Sequence, residues 1–127
     1  MKEALFYTRG INQEVHCSLC FHQCTIPPGK TGICGVRENR EGILYTLVYG
    51  KAISESVDPI EKKPLFHFHP GSRSFSIATV GCNFKCLHCQ NSSISQMPRD
   101  ERRIAGDDLP PATIVALADK FSCKSIS

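Results

Sequence analysis

The sequence has no apolar run approaching the ~20 residues of a membrane-spanning helix, so no spanning segment is expected. Its opening, MKEALFYTRGINQEV, lacks both an apolar stretch and a small-residue cleavage site, so it does not read as an export signal. Charge of one sign is also missing. Fifteen Lys and Arg stand against 12 Asp and Glu, a net charge of +3, with no interleaving of aromatic and basic residues. Neither a nucleic-acid nor a membrane-surface partner is expected from that balance. There is no internal repeat, no low-complexity tract, no Ser/His/Asp constellation and no carboxylate pair at a useful spacing. Hydrophobic residues at 41% and charged residues at 21% leave a globular chain long enough for one ordinary domain, or a small domain plus part of another.

Cysteine is what the chain has in excess, 8 residues of 127. Without an export signal the expected compartment is the reducing cytoplasm, where clustered cysteines are metal ligands more often than disulfides. They fall in two groups of different spacing. Cys17, Cys20, Cys24 and Cys34 form C-x2-C-x3-C-x9-C, and Cys82, Cys86 and Cys89 form C-x3-C-x2-C. Cys123 stands apart and reads as a small buried apolar residue.

Between the groups the pattern predicts β-structure. Ile43–Tyr49 is β-branched and aromatic, Gly50-Lys51 offers a turn, and Ala52–Val57 reads as the return strand of a hairpin. A polar connector, Asp58 to Pro64, leads to a short strand at Leu65–His69, ended by Pro70-Gly71. Ser74–Val80 (SFSIATV) is the strongest strand, alternating in a way that suits burial on both faces. Asn91–Ser95 can open a helix with Asn91 or Ser92 as N-cap, limited by Pro98, and Arg99–Arg103 reads as a solvated charge run. After Pro110-Pro111, Ile114, Leu117, Ala118 and Phe121 recur at helical spacing. Cys123–Ser127 reads as a further strand, completing strand–helix–strand.

The second cysteine group directly follows the strongest strand and precedes a helix. Three thiolates within eight residues can take three corners of a cubane iron–sulfur cluster and leave one iron open to a substrate or cofactor. Gly81 allows a sharp turn out of the strand, and nearby backbone N–H groups can support electron-rich sulfurs. This motif resembles the signature of the radical S-adenosylmethionine (SAM) superfamily. The runs CSLCFHQCTIPPGKTGICGVREN, DPIEKKPLFHFHPGS and TVGCNFKCLHCQNSSIS resemble, more closely, the AmmeMemoRadiSam system radical SAM enzyme, which is similar to pyruvate formate-lyase activating enzymes. The resemblance covers about Cys17 to Ser127.

That resemblance implies a [4Fe–4S] cluster on Cys82, Cys86 and Cys89, with SAM bound at the open iron and His88 against the adenine. It implies an electron donor, formation of a 5′-deoxyadenosyl radical, and an oxidoreductase whose substrate, as with glycyl-radical activases, is a protein. Family members continue beyond the equivalent of CKSIS, so the chain resembles an N-terminal portion and is expected to be inactive alone. The fold expected is α/β. A small β-rich region with the four-cysteine metal site, over residues 1–72, precedes the first strand, cluster loop and helices of an incomplete (β/α) barrel over 73–127.

For the first group the chemistry leaves three readings: a closed tetrahedral zinc site, an auxiliary iron–sulfur cluster, or free thiols. A shared zinc would bring the four sulfurs within roughly 4 Å of each other. His16 and His22 read as surface histidines. Gly29-Lys30-Thr31 imitates the end of a phosphate loop, but Cys24 stands where that motif needs Gly. His67 and His69 share a face if their segment is a strand and read as an exposed pair. Lys62 and Lys63 read as solvated. A zinc-binding interaction module, or a catalytically inert fragment, is the competing reading of the whole chain.

Overall fold

The computed structural model describes every residue from Met1 to Ser127. The chain forms two compact units that interleave in sequence. The first comprises Met1–Tyr49 and Val80–Ile104, the second Gly50–Thr79 and Ala105–Ser127. The boundary expected between residues 72 and 73 falls inside the second unit.

The first unit is built on two small antiparallel sheets. In one, β1 (Lys2–Glu3) pairs with β6 (Ile43–Thr46), and β6 with β5 (Arg37–Arg40). In the other, β3 (Val15–Cys17) lies between β2 (Tyr7–Arg9) and β4 (Thr25–Ile26). Glu41 and Gly42, with φ of 54° and 85°, make the two-residue connection of β5 to β6. Two positive φ values match the twist of the flanking strands, which is why this short turn closes a hairpin. Alternation on β3 turns Val15 and Cys17 inward and leaves His16 exposed. Ala4, Val15, Cys17, Ile26 and Leu44 form the core, with Tyr7 and Cys24 packed on it.

A buried asparagine ties this unit together. Asn39 donates through Nδ2 to the carbonyls of Gln13 (2.8 Å) and Ile26 (2.7 Å) and accepts at Oδ1 from the Gly42 N–H (2.9 Å). Each polar atom of this fully buried side chain is thereby satisfied. Two single-turn helices, α1 (Ser92–Ser95) and α2 (Met97–Asp100), follow the second cysteine group. Pro98 lies in the first turn of α2, where its missing N–H costs nothing, so it starts a helix as well as limiting the one before.

In the second unit, β7 (Lys51–Ala52) pairs with β10 (Asp107–Asp108). The larger sheet has the order β11–β9–β8. Here β8 (Ser54–Pro59) runs antiparallel to β9 (Arg73–Ala78), and β11 (Ser125–Ile126) parallel to it. The helix α3 (Pro111–Lys120) packs on β9 and β11, burying Ala118 and bringing the Phe121 ring over that of Phe75 at 6.4 Å. The strand–helix–strand expectation is met. Ser74, Phe75 and Ser76 are all buried, as the two-faced reading of this strand requires.

Two expectations are corrected. The segment after Gly50 does not return along β6. Its six-residue strand pairs with β9 instead, while β6 takes β5 and β1 as neighbours. Leu65–His69 forms no strand. It lies exposed in the connection between β8 and β9.

Candidate functional site

The first cysteine group is organised by β3 and β4. Cys17 ends β3, and its N–H donates to the Cys24 carbonyl at 2.9 Å, which closes the loop between the strands. Within that loop the Gln23 N–H reaches the Cys20 carbonyl at 3.1 Å and makes a tight turn. Cys34 comes from the connection between β4 and β5 and accepts backbone N–H bonds from Val36 and Arg37 at its sulfur. Burial pushes the Cys34 thiol above its ordinary pKa, and the nearby sulfurs of Cys17 and Cys24 push it the same way. Cys17, Cys24 and Cys34 thus occupy one neighbourhood, with Cys20 in the turn beside them.

Arg37 is the residue sequence reasoning missed here. Its side chain is buried, donates from Nη1 to the Cys17 sulfur at 3.0 Å, and reaches the Leu5 carbonyl through Nη2. A buried guanidinium needs anionic or carbonyl partners, and an electron-rich sulfur supplies one. Nothing in Val36-Arg37-Glu38 signals this beyond the inward position that alternation assigns to Arg37.

The second group lies in an irregular loop entered through Val80-Gly81. Gly81 has φ of 93°, and a Cβ there would stand 2.4 Å from Val36 Cγ1 and 3.0 Å from the Cys34 carbonyl oxygen. Only glycine fits such an approach, and it sets the second cysteine loop directly against the backbone of the first group. The Phe84 N–H points at the Cys82 sulfur (3.4 Å), the Ser95 hydroxyl lies 3.4 Å from the Cys89 sulfur, and the Cys89 N–H turns back to the Cys86 carbonyl (3.3 Å). Cys82 and Cys89 are half-buried, Cys86 and His88 exposed.

Three side chains grip this loop by its backbone. The Asn83 carbonyl accepts from His22 Nε2 at 2.7 Å. The next carbonyl, Phe84, accepts from Gln96 Nε2 at 3.2 Å and Arg99 Nη2 at 2.9 Å. Arg99 therefore belongs to α2 and the loop, which corrects its reading as part of a solvated charge run.

No group of three or more His, Cys, Asp or Glu side chains stands at metal-holding geometry. The donor chemistry nonetheless fits a thiophilic group at both places. The first group offers Cys17, Cys20 and Cys24 along the loop between β3 and β4, Cys34 from the connection between β4 and β5, and a buried cation at the Cys17 sulfur. The second offers three thiols on an irregular loop, with the Phe84 N–H aimed at the Cys82 sulfur and the Ser95 hydroxyl within hydrogen-bond reach of the Cys89 sulfur.

Gly29, Lys30 and Gly32 commit their N–H groups to the carbonyls of Asn39, Pro27 and Arg37, so no phosphate cradle exists there. His16 Nδ1 meets Thr25 Oγ1 at 3.0 Å on the surface. His67 and His69 are exposed. Cys123 is half-buried rather than buried, because the turn after α3 leaves it at the edge of the helix. Lys62 and Lys63 are not merely solvated. Both reach the buried carboxylate of Asp58, at 2.8 and 3.5 Å, which also accepts from Ser76 (2.7 Å) and Ser56 (3.0 Å). No helix is long and apolar enough to cross a membrane.

The chain is 48% identical over all 127 residues to an uncharacterized protein of Methanocaldococcus jannaschii, 38% of whose length it covers. The chain thus spans under half of the curated relative it matches. No family model matches it. No solved structure matches it either.

Proposed function

We propose that this chain is the cluster-bearing part of a radical SAM enzyme of the AmmeMemoRadiSam type, working in the cytoplasm with an electron donor and acting on a protein substrate. The observation that carries the reading is the C-x3-C-x2-C loop itself. It follows a strand buried on both faces, turns at a glycine whose Cβ would clash, and has the Phe84 N–H aimed at Cys82 and the Ser95 hydroxyl beside Cys89. Cys82, Cys86 and Cys89 would hold a [4Fe–4S] cluster, and His88 would lie beside the adenine of SAM. A cluster held there would supply the one-electron reduction that cleaves the S–C5′ bond of SAM into methionine and a hydrogen-abstracting 5′-deoxyadenosyl radical. The chain's own part is to fix three sulfurs, support them with the Phe84 N–H and the Ser95 hydroxyl, and shape the loop through Gly81.

Cys17, Cys20, Cys24 and Cys34 would hold zinc or an auxiliary iron–sulfur cluster. The Arg37 guanidinium on the Cys17 sulfur, with Cys24 and Cys34 near it, also favours a second reading, a zinc module that binds another protein. Anaerobic reconstitution with iron and sulfide separates the two. The enzyme reading expects about four irons per chain at the second group, brown colour, and an EPR signal of the reduced protein that changes when SAM is added. Alanine at any one of Cys82, Cys86 and Cys89 should remove most of that iron. A colourless protein that takes up zinc alone, or full iron retained in all three variants, would overturn it.

A further inference from the structure

The two cysteine groups are separated by 47 residues of sequence between Cys34 and Cys82, yet they meet through backbone and one side chain. Gly81 is pressed against the Cys34 carbonyl, and His22, from the turn between Cys20 and Cys24, bonds the Asn83 carbonyl at 2.7 Å. A carbonyl only accepts, so the hydrogen lies on Nε2 and the ring is the donor. Asn83 sits between Cys82 and Cys86. The adjoining Phe84 carbonyl is held by Gln96 and Arg99, from the helical turns that follow the loop. Phe84 also supplies the N–H aimed at the Cys82 sulfur. Holding the Asn83 carbonyl fixes the peptide plane that carries that same N–H, because the carbonyl of one residue and the N–H of the next belong to one rigid unit. His22 therefore acts on the Cys82 sulfur through a single peptide bond.

We infer that His22 is a positioning residue by which the first cysteine turn sets the shape of the second cysteine loop. The first group is then more than a staple for its own sheet. Ordering the turn from Cys20 to Cys24 orders the His22 ring, and the ring orders the peptide that faces Cys82. The inference rests on the reading of the second group as a cluster-holding loop only for its consequence. The coupling itself is a property of the protein without any cluster.

The test uses the full chain as wild type, His22→Ala and His22→Gln. His22 is exposed, so neither substitution disturbs the core. Hydrogen–deuterium exchange of the peptide spanning Cys82–Cys89 is read first, without a cluster. Loss of one hydrogen bond is expected to raise its exchange by roughly 3- to 10-fold in His22→Ala. The side-chain amide of His22→Gln, which keeps a donor, should restore at least part of the protection. Exchange in strands β8 and β9 should not move. Equal exchange of the loop in all three proteins, or equal loss in both variants, would overturn the inference. The same proteins are then reconstituted with iron and sulfide. His22→Ala should release iron to a ferrous chelator several-fold faster than wild type and show an altered EPR line shape, with His22→Gln between them. Wild-type protein that takes up no iron would overturn the cluster reading, while the exchange result still decides the role of His22.

Discussion

Asp58 carries the most perturbed acid in the protein, and its partners explain why. The Lys62 ammonium and the Ser76 and Ser56 hydroxyls all favour the charged carboxylate, holding its pKa well below the ordinary carboxylate range. A depressed folded-state pKa stabilises the fold fully above the unfolded value of about 3.9, and that contribution is lost as pH falls through the folded value. Acid unfolding followed by circular dichroism should therefore show wild type losing stability steeply below about pH 4, with Asp58→Asn less stable at neutral pH and less steep below it. An unchanged acid slope in the variant would show that Asp58 titrates as it does in the unfolded chain. Asp58-Pro59 reads in sequence as the start of a connector, and Lys62-Lys63 as solvated. Ser56, Lys62 and Lys63 are close in sequence, but the partner that buries the carboxylate in the sheet, Ser76, lies on a strand eighteen positions away. Arg37 and His22 escaped for the same reason: each acts on a backbone or sulfur atom distant in sequence.

At the scale of elements, what sequence reveals depends on whether a signal is local. The strand at Arg73–Ala78 and the helix at Pro111–Lys120 carry their own patterns of buried residues and were readable within a residue or two. Strand partners were not. Gly50-Lys51 and Glu41-Gly42 both offer a turn, and only the second joins neighbouring strands, because Arg40 and Ile43 can pair across it directly. The turn at Gly81 belongs to this scale too, since it sets where the second cysteine loop begins. Gly81→Ala should destabilise the first unit by about 2–4 kcal/mol, combining a positive φ with a clash against Val36 and the Cys34 carbonyl. Gly29 has a similar φ of 73° with open space around it, so Gly29→Ala should cost only about 1 kcal/mol. Urea unfolding of the two variants checks the difference. Equal losses would mean that Val36 yields freely, and that the close approach does not require glycine.

Across the whole molecule, the two units differ in what holds them together. The second has a six-residue antiparallel pair, a parallel strand, a covering helix and the Asp58 network. The first has short strands and a core of Ala4, Val15, Cys17, Ile26 and Leu44, in which a thiol stands among few large apolar side chains. So small a core supplies little stability by itself, and small domains of this kind are commonly completed by a metal. The cysteine spacing made a metal site at Cys17, Cys20, Cys24 and Cys34 legible as a possibility. That Cys17 belongs to the core was not, because core membership depends on β3 pairing with β4. If the first group holds zinc, part of the folding free energy of the first unit is binding free energy. Stripping zinc with a strong chelator should then raise hydrogen exchange by at least roughly ten-fold across residues 1–49 and 80–104, while 54–59 and 73–78 keep their protection. Cys17→Ser should reproduce the chelated pattern, since it removes a ligand and a core group together. Cys123→Ser, half-buried in the second unit, should leave both zinc content and exchange in the first unit unchanged. Exchange that rises evenly over the whole chain would mean that the units unfold as one, and no change anywhere would mean that the first cysteine group contributes nothing to folding through a metal.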